Sequence, residues 1–420
     1  MRAIESFVKS VSDLIINLRE HRVILEGIVV TLLYKLFQLG LGLVTTHYIV
    51  HSFSKESFGQ YNYILTILGV LSVFSLPNLN GAISQSVARG FYGTYNKAVP
   101  LAILSSLVAT IILLTFAIYN YWENSLVLAY GFLLSALMFP LFYGIGLWKA
   151  FLVGLEQFKQ IVKVASVNNV IKSVLLIATA IYFPDNVFIL LLVYLAIPSL
   201  QNINQSLKLW KTSHKNNKTE EGSISYGVKA SAYSIISLIA TNIDNLLIFH
   251  FLSPVALANL AAAQRLPEVI KGGILDLGQI LLPKFSRTEK LTKKIDQFFT
   301  YFGLAIGITL LIVTFTIFPY FFLLVFGDQY ENALPYAQAM MLSLAIANTA
   351  PLKVWFMNSK LDSKTNRDMI LIISVARITS SLLLIPFFGI WGAVASSFLH
   401  RIITSISIHM LMRKRYPVTS

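Results

Sequence analysis

The stretch Leu304–Phe318 reads LAIGITLLIVTFTIF, in which threonine is the only polar residue type. A second stretch, Ile171–Ile181, is also almost continuously apolar. Strands of a membrane β-barrel need only about 10 residues and alternate polar with apolar side chains. Because neither stretch alternates, both predict helices that lie within a lipid bilayer.

Twelve apolar stretches of this kind occupy most of the chain. Each approaches or exceeds the about 20 residues that a helix needs to cross the hydrocarbon core. The sequence therefore predicts an all-α polytopic membrane protein with twelve transmembrane helices. They cover residues 24–46, 60–82, 98–119, 125–147, 164–182, 187–207, 226–251, 260–282, 303–326, 334–356, 369–388 and 390–411.

Basic residues mark alternate connections between these stretches. Of the 33 Lys and Arg residues, 24 lie in every second connection, whereas the intervening connections hold Lys55 alone and carry acidic residues such as Asp185 and Asp328. Cationic loops of membrane proteins stay in the cytoplasm. The pattern predicts that both termini are cytoplasmic.

The largest polar insert divides the predicted helices into two sets of six. It spans 208–225 and is rich in Lys, Asn and Ser, so we expect a flexible cytoplasmic linker. The predicted bundles are 24–207 and 226–412, followed by a cytoplasmic tail at 413–420. Residues 1–23 place apolar side chains at helical spacing, which predicts an amphipathic interfacial helix, the alternative being a solvated helix packed on a partner.

A short motif after the first predicted helix recurs after the seventh. The constant offset of 199 residues indicates a duplicated six-helix unit, which would place a substrate cavity between the halves. The matched positions are His51 with His250, Ser54 with Ser253, and Phe58 with Leu257.

Composition excludes several classes of protein. A chain that is 56% hydrophobic and 12% charged would expose a large apolar surface as a soluble fold. The net charge of +14 is dispersed over short loops, which favours anionic phospholipid over nucleic acid as a partner. Nucleotide-binding loops, zinc-protease motifs, nucleophile elbows and cysteines are absent from the sequence. We therefore expect a transporter without a cofactor rather than an enzyme.

Several cations lie inside the apolar stretches. Each charge at the bilayer centre costs about 2.5 to 3.5 kcal/mol on insertion scales, so it should face a watery cavity, a partner or the interface. Lys229, Lys353 and Arg401 are near helix ends and could extend to the headgroups. The deeper cations predict a site for an anion such as pyrophosphate, and they are Lys35, Lys172, Arg265, Lys271 and Arg377.

Three carboxylates accompany these cations, namely Asp244, Glu268 and Asp276. Proton or sodium coupling would need a carboxylate that titrates or ligates, and Asp244 is the best isolated candidate. Its alternative role is a structural partner of Lys271 or Lys35. Glu268 lies three residues from both Arg265 and Lys271, so this ladder is either part of the site or an internal salt-bridged stripe.

Neutral polar residues within the helices suggest glycan contacts, because sugars need many donors and acceptors. The alternative is that polar runs near helix ends are simply hydrated. The candidates are Asn78, Asn80, Gln264 and Asn348.

Loose motifs throughout the chain carry a family resemblance. The chain resembles the polysaccharide (O-antigen, Wzx-type) flippases of the multidrug/oligosaccharidyl-lipid/polysaccharide (MOP) exporter superfamily. The motifs are Ser54-Lys-Glu-Ser-Phe-Gly59-Gln-Tyr61, Thr241-Asn-Ile-Asp244-Asn-Leu-Leu-Ile, Gln264-Arg-Leu-Pro267, Leu282-Pro-Lys-Phe-Ser286, Phe326-Gly-Asp-Gln-Tyr330 and Ile385-Pro-Phe-Phe-Gly-Ile-Trp-Gly392-Ala.

The resemblance implies two six-helix bundles around a cation-lined cavity, as in MATE-like proteins. It also implies alternating access that moves an undecaprenyl-pyrophosphate-linked oligosaccharide, the repeat unit of O-antigen or another surface polysaccharide, to the outer leaflet of the bacterial inner membrane. Partners would include a polysaccharide polymerase and chain-length machinery, and H+ or Na+ coupling stays open. The main alternative is a cation-coupled multidrug antiporter, although its cationic drugs would favour an acidic cavity. A membrane polymerase or ligase would need a large external loop.

Overall fold

A computed structural model of the protein describes residues 22–214, 216–287, 292–346, 350–359 and 363–416. The predicted interfacial helix at 1–23 lies almost wholly outside these residues. Within them, the α-helices are α1 Arg22–Ser52, α2 Lys55–Leu71, α3 Leu79–Ala88, α4 Gly93–Trp122, α5 Leu126–Phe139, α6 Trp148–Gly154, α7 Phe158–Tyr182, α8 Val187–Ser213, α9 Ser223–Phe251, α10 Pro254–Arg287, α11 Lys293–Phe315, α12 Phe318–Phe326, α13 Leu334–Ile346, α14 Ala350–Asn358 and α15 Ser363–Arg415.

Where the structure describes them, the predicted apolar stretches lie mainly on helices, which confirms the all-α fold. Within the described ranges, eight helical segments have the length and composition needed to cross a membrane. The last two predicted crossings form one long helix, α15, which is interrupted at Gly389, where φ is +57°. The count of twelve crossings and the cytoplasmic position of both termini stay predictions.

The second predicted helix is broken in its middle. A 3-10 turn at Ser72–Ser75 ends in Leu76, which adopts the left-handed conformation, and Pro77 follows. Proline lacks an N–H and cannot continue a regular helix. The chain therefore restarts as α3, at an angle that brings it against α9.

The motif that follows the first predicted helix and recurs after the seventh forms a helix cap in both places. At the start of α2, the Ser54 hydroxyl accepts a hydrogen bond from Ser57 N at 3.2 Å. At the start of α10, the Ser253 hydroxyl accepts one from Ala256 N at 3.1 Å. A serine cap satisfies an amide that the helix itself leaves unpaired. The same local structure thus begins the second helix of each half.

The polar connection between the halves differs from its predicted form. Helix α8 continues to Ser213, and the residues after it pack on the N-terminal half. Gly93 N donates to Lys218 O at 2.9 Å, and Glu220 pairs with Arg89 and accepts from Ser86 Oγ at 2.6 Å. The structure thus has a docked connection where the sequence predicted a flexible one.

Two bundles, α1–α8 and α9–α15, meet mainly through α2. This helix packs on α9 and α10, while α1 contacts α12 and α3 contacts α9. The closest approach is at Gly59, where an added Cβ would lie 1.9 Å from the carbonyl oxygen of Pro254. Only glycine allows the two backbones to come this near. A single buried apolar cluster extends across both bundles at this contact.

Candidate functional site

A cavity of about 760 Å³ lies between the two bundles. Helices α1, α2, α7 and α8 of the N-terminal bundle and α9 and α10 of the C-terminal bundle supply its walls. Many of the side chains that line it are polar, including Gln38, Asn62, Asn169, Asn242, Asn245 and Gln264.

Three of the five predicted cations converge on this cavity. Lys35 comes from α1, Lys172 from α7 and Arg265 from α10. The Nζ atom of Lys172 lies 5.1 Å from the ring centroid of Tyr194, which is a cation–π distance. Among the described residues that line the cavity, Glu268 is the one carboxylate. The cavity therefore has surplus positive charge supplied by both bundles.

The other two predicted cations face a second, smaller cavity. Lys271 and Arg377 line a space of about 330 Å³ within the C-terminal bundle, together with Arg401. Gln264 and Glu268 line both cavities. The predicted ladder on α10 is thus divided, because Arg265 faces one cavity and Lys271 the other. The five cations do not form one site.

Asp244 is held by structural contacts. Its carboxylate is 2% exposed, forms an ion pair with Arg377 and accepts a hydrogen bond from Ser381 Oγ at 2.5 Å. Arg377 also donates to Ser397 Oγ at 2.9 Å. The partner of Asp244 is therefore Arg377 rather than Lys271 or Lys35. Its carboxylate is buried and already paired, which argues against Asp244 as the freely accessible coupling group.

The residues predicted to contact the glycan lie in different surroundings. Asn78 N and Nδ2 donate to Ser231 Oγ at 3.0 Å and Ser234 Oγ at 2.6 Å, so Asn78 joins the broken second helix to α9. Asn80 Nδ2 bonds to Pro77 O at 2.9 Å. Neither asparagine lines either of these two cavities, whereas Gln264 lines both. The side chain of Asp276 and the whole of Asn348 lie outside the described residues.

Sequence reasoning missed several residues of the first cavity. Asn242 and Asn245 flank Asp244 in the chain, yet they line the cavity between the bundles while Asp244 turns toward α15. Asn242 and Asn245 are three positions apart and so share one face of the helix, whereas Asp244, two positions from one and one position from the other, lies on a different face. This division could have been found from helical spacing. Tyr194 and Asn169 carried no signal, because an isolated polar side chain in an apolar stretch has no distinctive spacing.

At one end of the cavity the two bundles are in direct contact. His47 Nδ1 lies 3.1 Å from Val325 O, and Gln329 Nε2 donates to Val50 O. These contacts join α1 to α12 and to the short helix that follows it. They lie at the end that the charge pattern predicts to be external, so we expect the cavity to be closed on that side.

A polar contact also joins two loops at this end. Ser54 N and Oγ donate to Asp185 Oδ1 at 2.8 and 2.9 Å. Partial burial raises the pKa of Asp185, but hydrogen bonds from Ser54 and Ser57 outweigh it and leave the pKa below its ordinary value. The carboxylate is therefore ionised at neutral pH and fixes the loop after α1.

The arrangement can bind an anion but offers little for other chemistry. Within the described ranges, no group of three or more His, Asp or Glu residues is placed to hold a metal ion. The first cavity instead presents ammonium and guanidinium donors beside neutral amides, which suits a charged phosphate group with polar attachments.

Several solved structures of membrane transporters and flippases share the fold of this chain. An inward-facing multidrug resistance MATE family transporter of the MOP superfamily superposes with a TM-score of 0.69 at 10% identity, over 92% of this chain and 98% of that one. The lipid II flippase MurJ in an inward closed conformation gives 0.64 at 13% identity, over 92% and 87%. A MOP superfamily transporter from Pyrococcus furiosus, described as having a binding pocket of reverse polarity, gives 0.59 at 12% identity, over 93% and 96%.

Comparison of sequences identifies the family. No curated protein sequence matches the chain. Residues 24–289 match the model of a family described as polysaccharide biosynthesis protein, and this range is more than half of the chain. The chain therefore belongs to the polysaccharide biosynthesis protein family, with the fold of the MOP superfamily.

Proposed function

We propose that the protein is a flippase for an undecaprenyl-pyrophosphate-linked oligosaccharide, which it moves from the cytoplasmic to the outer leaflet of the bacterial inner membrane. The observation that carries this proposal is the convergence of Lys35, Lys172 and Arg265 on a cavity between the bundles. Cations from both bundles can hold one pyrophosphate while the bundles rock around it. The family match and the likeness to a lipid II flippase agree with this class of substrate.

The neutral amides of the same cavity would hold the glycan. Asn62, Asn169 and Gln264 place donors and acceptors around the cations, and Tyr61 and Tyr194 add aromatic faces. The polyprenyl chain would stay in the lipid, because the cavity walls at this level are too polar for it. The external contact between the bundles then has to open for release.

Coupling to H+ or Na+ would use Glu268 rather than Asp244. Glu268 lines both cavities, whereas Asp244 is bound to Arg377 and Ser381. A carboxylate exposed to the cavity can bind a cation without losing a structural partner. Replacing Glu268 by Gln should therefore leave binding of the lipid intact and remove the dependence of transport on the ion gradient.

Flipping of a labelled lipid-linked oligosaccharide in proteoliposomes tests the function. A lost hydrogen bond to a charged group costs about 1.5 to 3 kcal/mol, so Lys172→Gln and Arg265→Gln should slow the initial rate about tenfold or more. Lys163→Gln is the matched control, since this lysine is exposed on the same helix as Lys172. Equal rates in all three variants would contradict the proposal. Uptake of cationic drugs without lipid flipping would favour the antiporter.

A further inference from the structure

The second cavity lies inside the C-terminal bundle rather than between the bundles. Helices α9, α10, α13, α14 and α15 supply its walls, and its volume is about 330 Å³. It adjoins the first cavity at α10, where Gln264 and Glu268 line both spaces. A group bound there would be separate from a pyrophosphate held by Lys172 on the opposite bundle.

The second cavity has surplus positive charge. Lys271, Arg377 and Arg401 line it, and the charge of Arg377 is balanced by its ion pair with Asp244. The charges of Lys271 and Arg401 are then left with one possible counter-charge, Glu268, which is the one carboxylate among the described residues that line this cavity. Glu268 also faces the first cavity, so two cations share at most one counter-charge.

Arg401 indicates that an acceptor is missing from this cavity. Its Nε atom is buried and has no hydrogen-bond partner in the part of the chain that the structure describes. A buried N–H without an acceptor is unfavourable, and nearly all such groups in proteins are paired. The guanidinium offers Nε–H and Nη–H as a planar fork, which matches the two oxygens of a carboxylate or phosphate. The sequence predicted that the Arg401 side chain extends to the lipid headgroups, whereas in the structure it lines the cavity inside the bundle.

The remaining walls are suited to a hydrated or sugar-linked anion. Ser237, Thr241 and Thr404 contribute hydroxyl groups, and the imidazole of His400 lies beside Arg401. Such neutral groups donate and accept hydrogen bonds without adding charge.

We propose that this cavity is a second anion site, which binds a single carboxylate or monophosphate group through Lys271 and Arg401. The anion has two sources. It is either an acidic group on the transported glycan, a source that rests on the proposed function, or free inorganic phosphate. In the first case one cargo molecule occupies both cavities, with its pyrophosphate in the cavity between the bundles.

Ligand-induced shifts in the Tm of the purified full chain test this proposal. The probes are D-glucuronate, inorganic phosphate, inorganic pyrophosphate and D-glucose, at an ionic strength held constant with sodium chloride. Glucuronate or phosphate should raise the Tm of the wild type, of Lys172→Gln and of the exposed-lysine control Lys163→Gln. Binding should be about tenfold weaker in Lys271→Gln and Arg401→Gln, which lose a charge-assisted hydrogen bond.

The outcomes separate the sources and the two proposals. Tighter binding of glucuronate assigns the acidic sugar, and tighter binding of phosphate assigns the free anion. Unchanged affinity in Lys271→Gln, or an equal shift with glucose, would overturn the second site. Lys271→Gln keeps the test valid even where Arg401→Gln fails to fold. Pyrophosphate that binds Lys172→Gln as well as wild type would count against the proposed function and leave the second site standing.

Discussion

Lys172 and Arg377 occupy similar depths in the two bundles, but their surroundings differ. Lys172 on α7 faces the cavity between the bundles, with Nζ 5.1 Å from the ring of Tyr194. Arg377 on α15 is ion-paired with Asp244 and donates to Ser397 Oγ at 2.9 Å. An aromatic ring attracts a cation but leaves its N–H donors available, whereas a carboxylate accepts from those donors directly.

The difference separates a cation that faces the cavity and is proposed to bind the cargo from one that is paired within its own bundle. In the N-terminal bundle Lys172 faces the cavity, whereas in the C-terminal bundle Arg377 neutralises Asp244. If every cation far from the ends of its apolar stretch were counted as a binding residue, the number of binding residues would therefore be overestimated.

The most sensitive test of this comparison is Asp244→Ala. The change leaves the Arg377 guanidinium buried without its counter-charge, and breaking one partner of a buried ion pair costs about 3 to 5 kcal/mol. We expect the free energy of unfolding to fall by that amount in denaturant titrations. Lys172→Ala should cost about 1 kcal/mol or less. Equal losses in the two variants would show that both cations are held alike.

A second test loosens the close contact between the bundles at Gly59. In Gly59→Val, the new side chain overlaps the backbone of Pro254, and overpacking of this kind costs about 1 to 3 kcal/mol. The chain contains no cysteine, so Gln38→Cys provides one unique thiol in the first cavity. We expect an impermeant maleimide to label this thiol from the external side only when Gly59→Val is also present.

Gly40→Val is the control for that experiment. An added Cβ at Gly40 meets no atom within 4 Å, so this variant should leave the labelling unchanged. External labelling of Gln38→Cys alone would contradict a closed external side. The second cavity should bind glucuronate equally well in both valine variants, because it lies within one bundle.

The sequence predicted the helices well, for a physical reason. A helix that crosses a bilayer must be apolar over most of its length, so its composition alone reveals it. The break in the second helix was signalled by Pro77 but not by the left-handed Leu76. The docking of the connection at Lys218 and Glu220 could not be predicted, because it depends on which surface lies opposite.

The site was predicted only in part. Burying a charge in lipid is so costly that Lys35, Lys172 and Arg265 had to face a cavity. Which cavity each cation faces depends on helix rotation, and spacing does not determine rotation relative to neighbouring helices. For the same reason the partner of Asp244 was misjudged, since Arg377 lies on a helix far away in sequence.

Exchanging arginine and lysine should affect stability less, and the effect should differ between Arg377 and Lys172 because their N–H donors differ in geometry. Arg377→Lys keeps the charge beside Asp244 but loses the planar fork that also reaches Ser397, and one such hydrogen bond contributes about 1 kcal/mol. Lys172→Arg should have no measurable effect on unfolding, because a guanidinium also stacks on Tyr194. The comparison of Tm values for the two variants checks this. A larger loss from Lys172→Arg would reverse the assignment of roles.

The smallest expected effect concerns Asp185, the exposed counterpart of the buried Asp244. Its pKa is lowered in the folded state, so its charge contributes stability above the unfolded pKa and loses that contribution as the pH falls through the folded pKa. Asp185→Asn resembles the protonated form. We therefore expect this variant to be less stable than wild type by about 0.3 kcal/mol at neutral pH, and equally stable in acid. If the difference in Tm between wild type and Asp185→Asn stays constant with pH, the charge of the Asp185 carboxylate does not contribute to stability through its hydrogen bonds with Ser54.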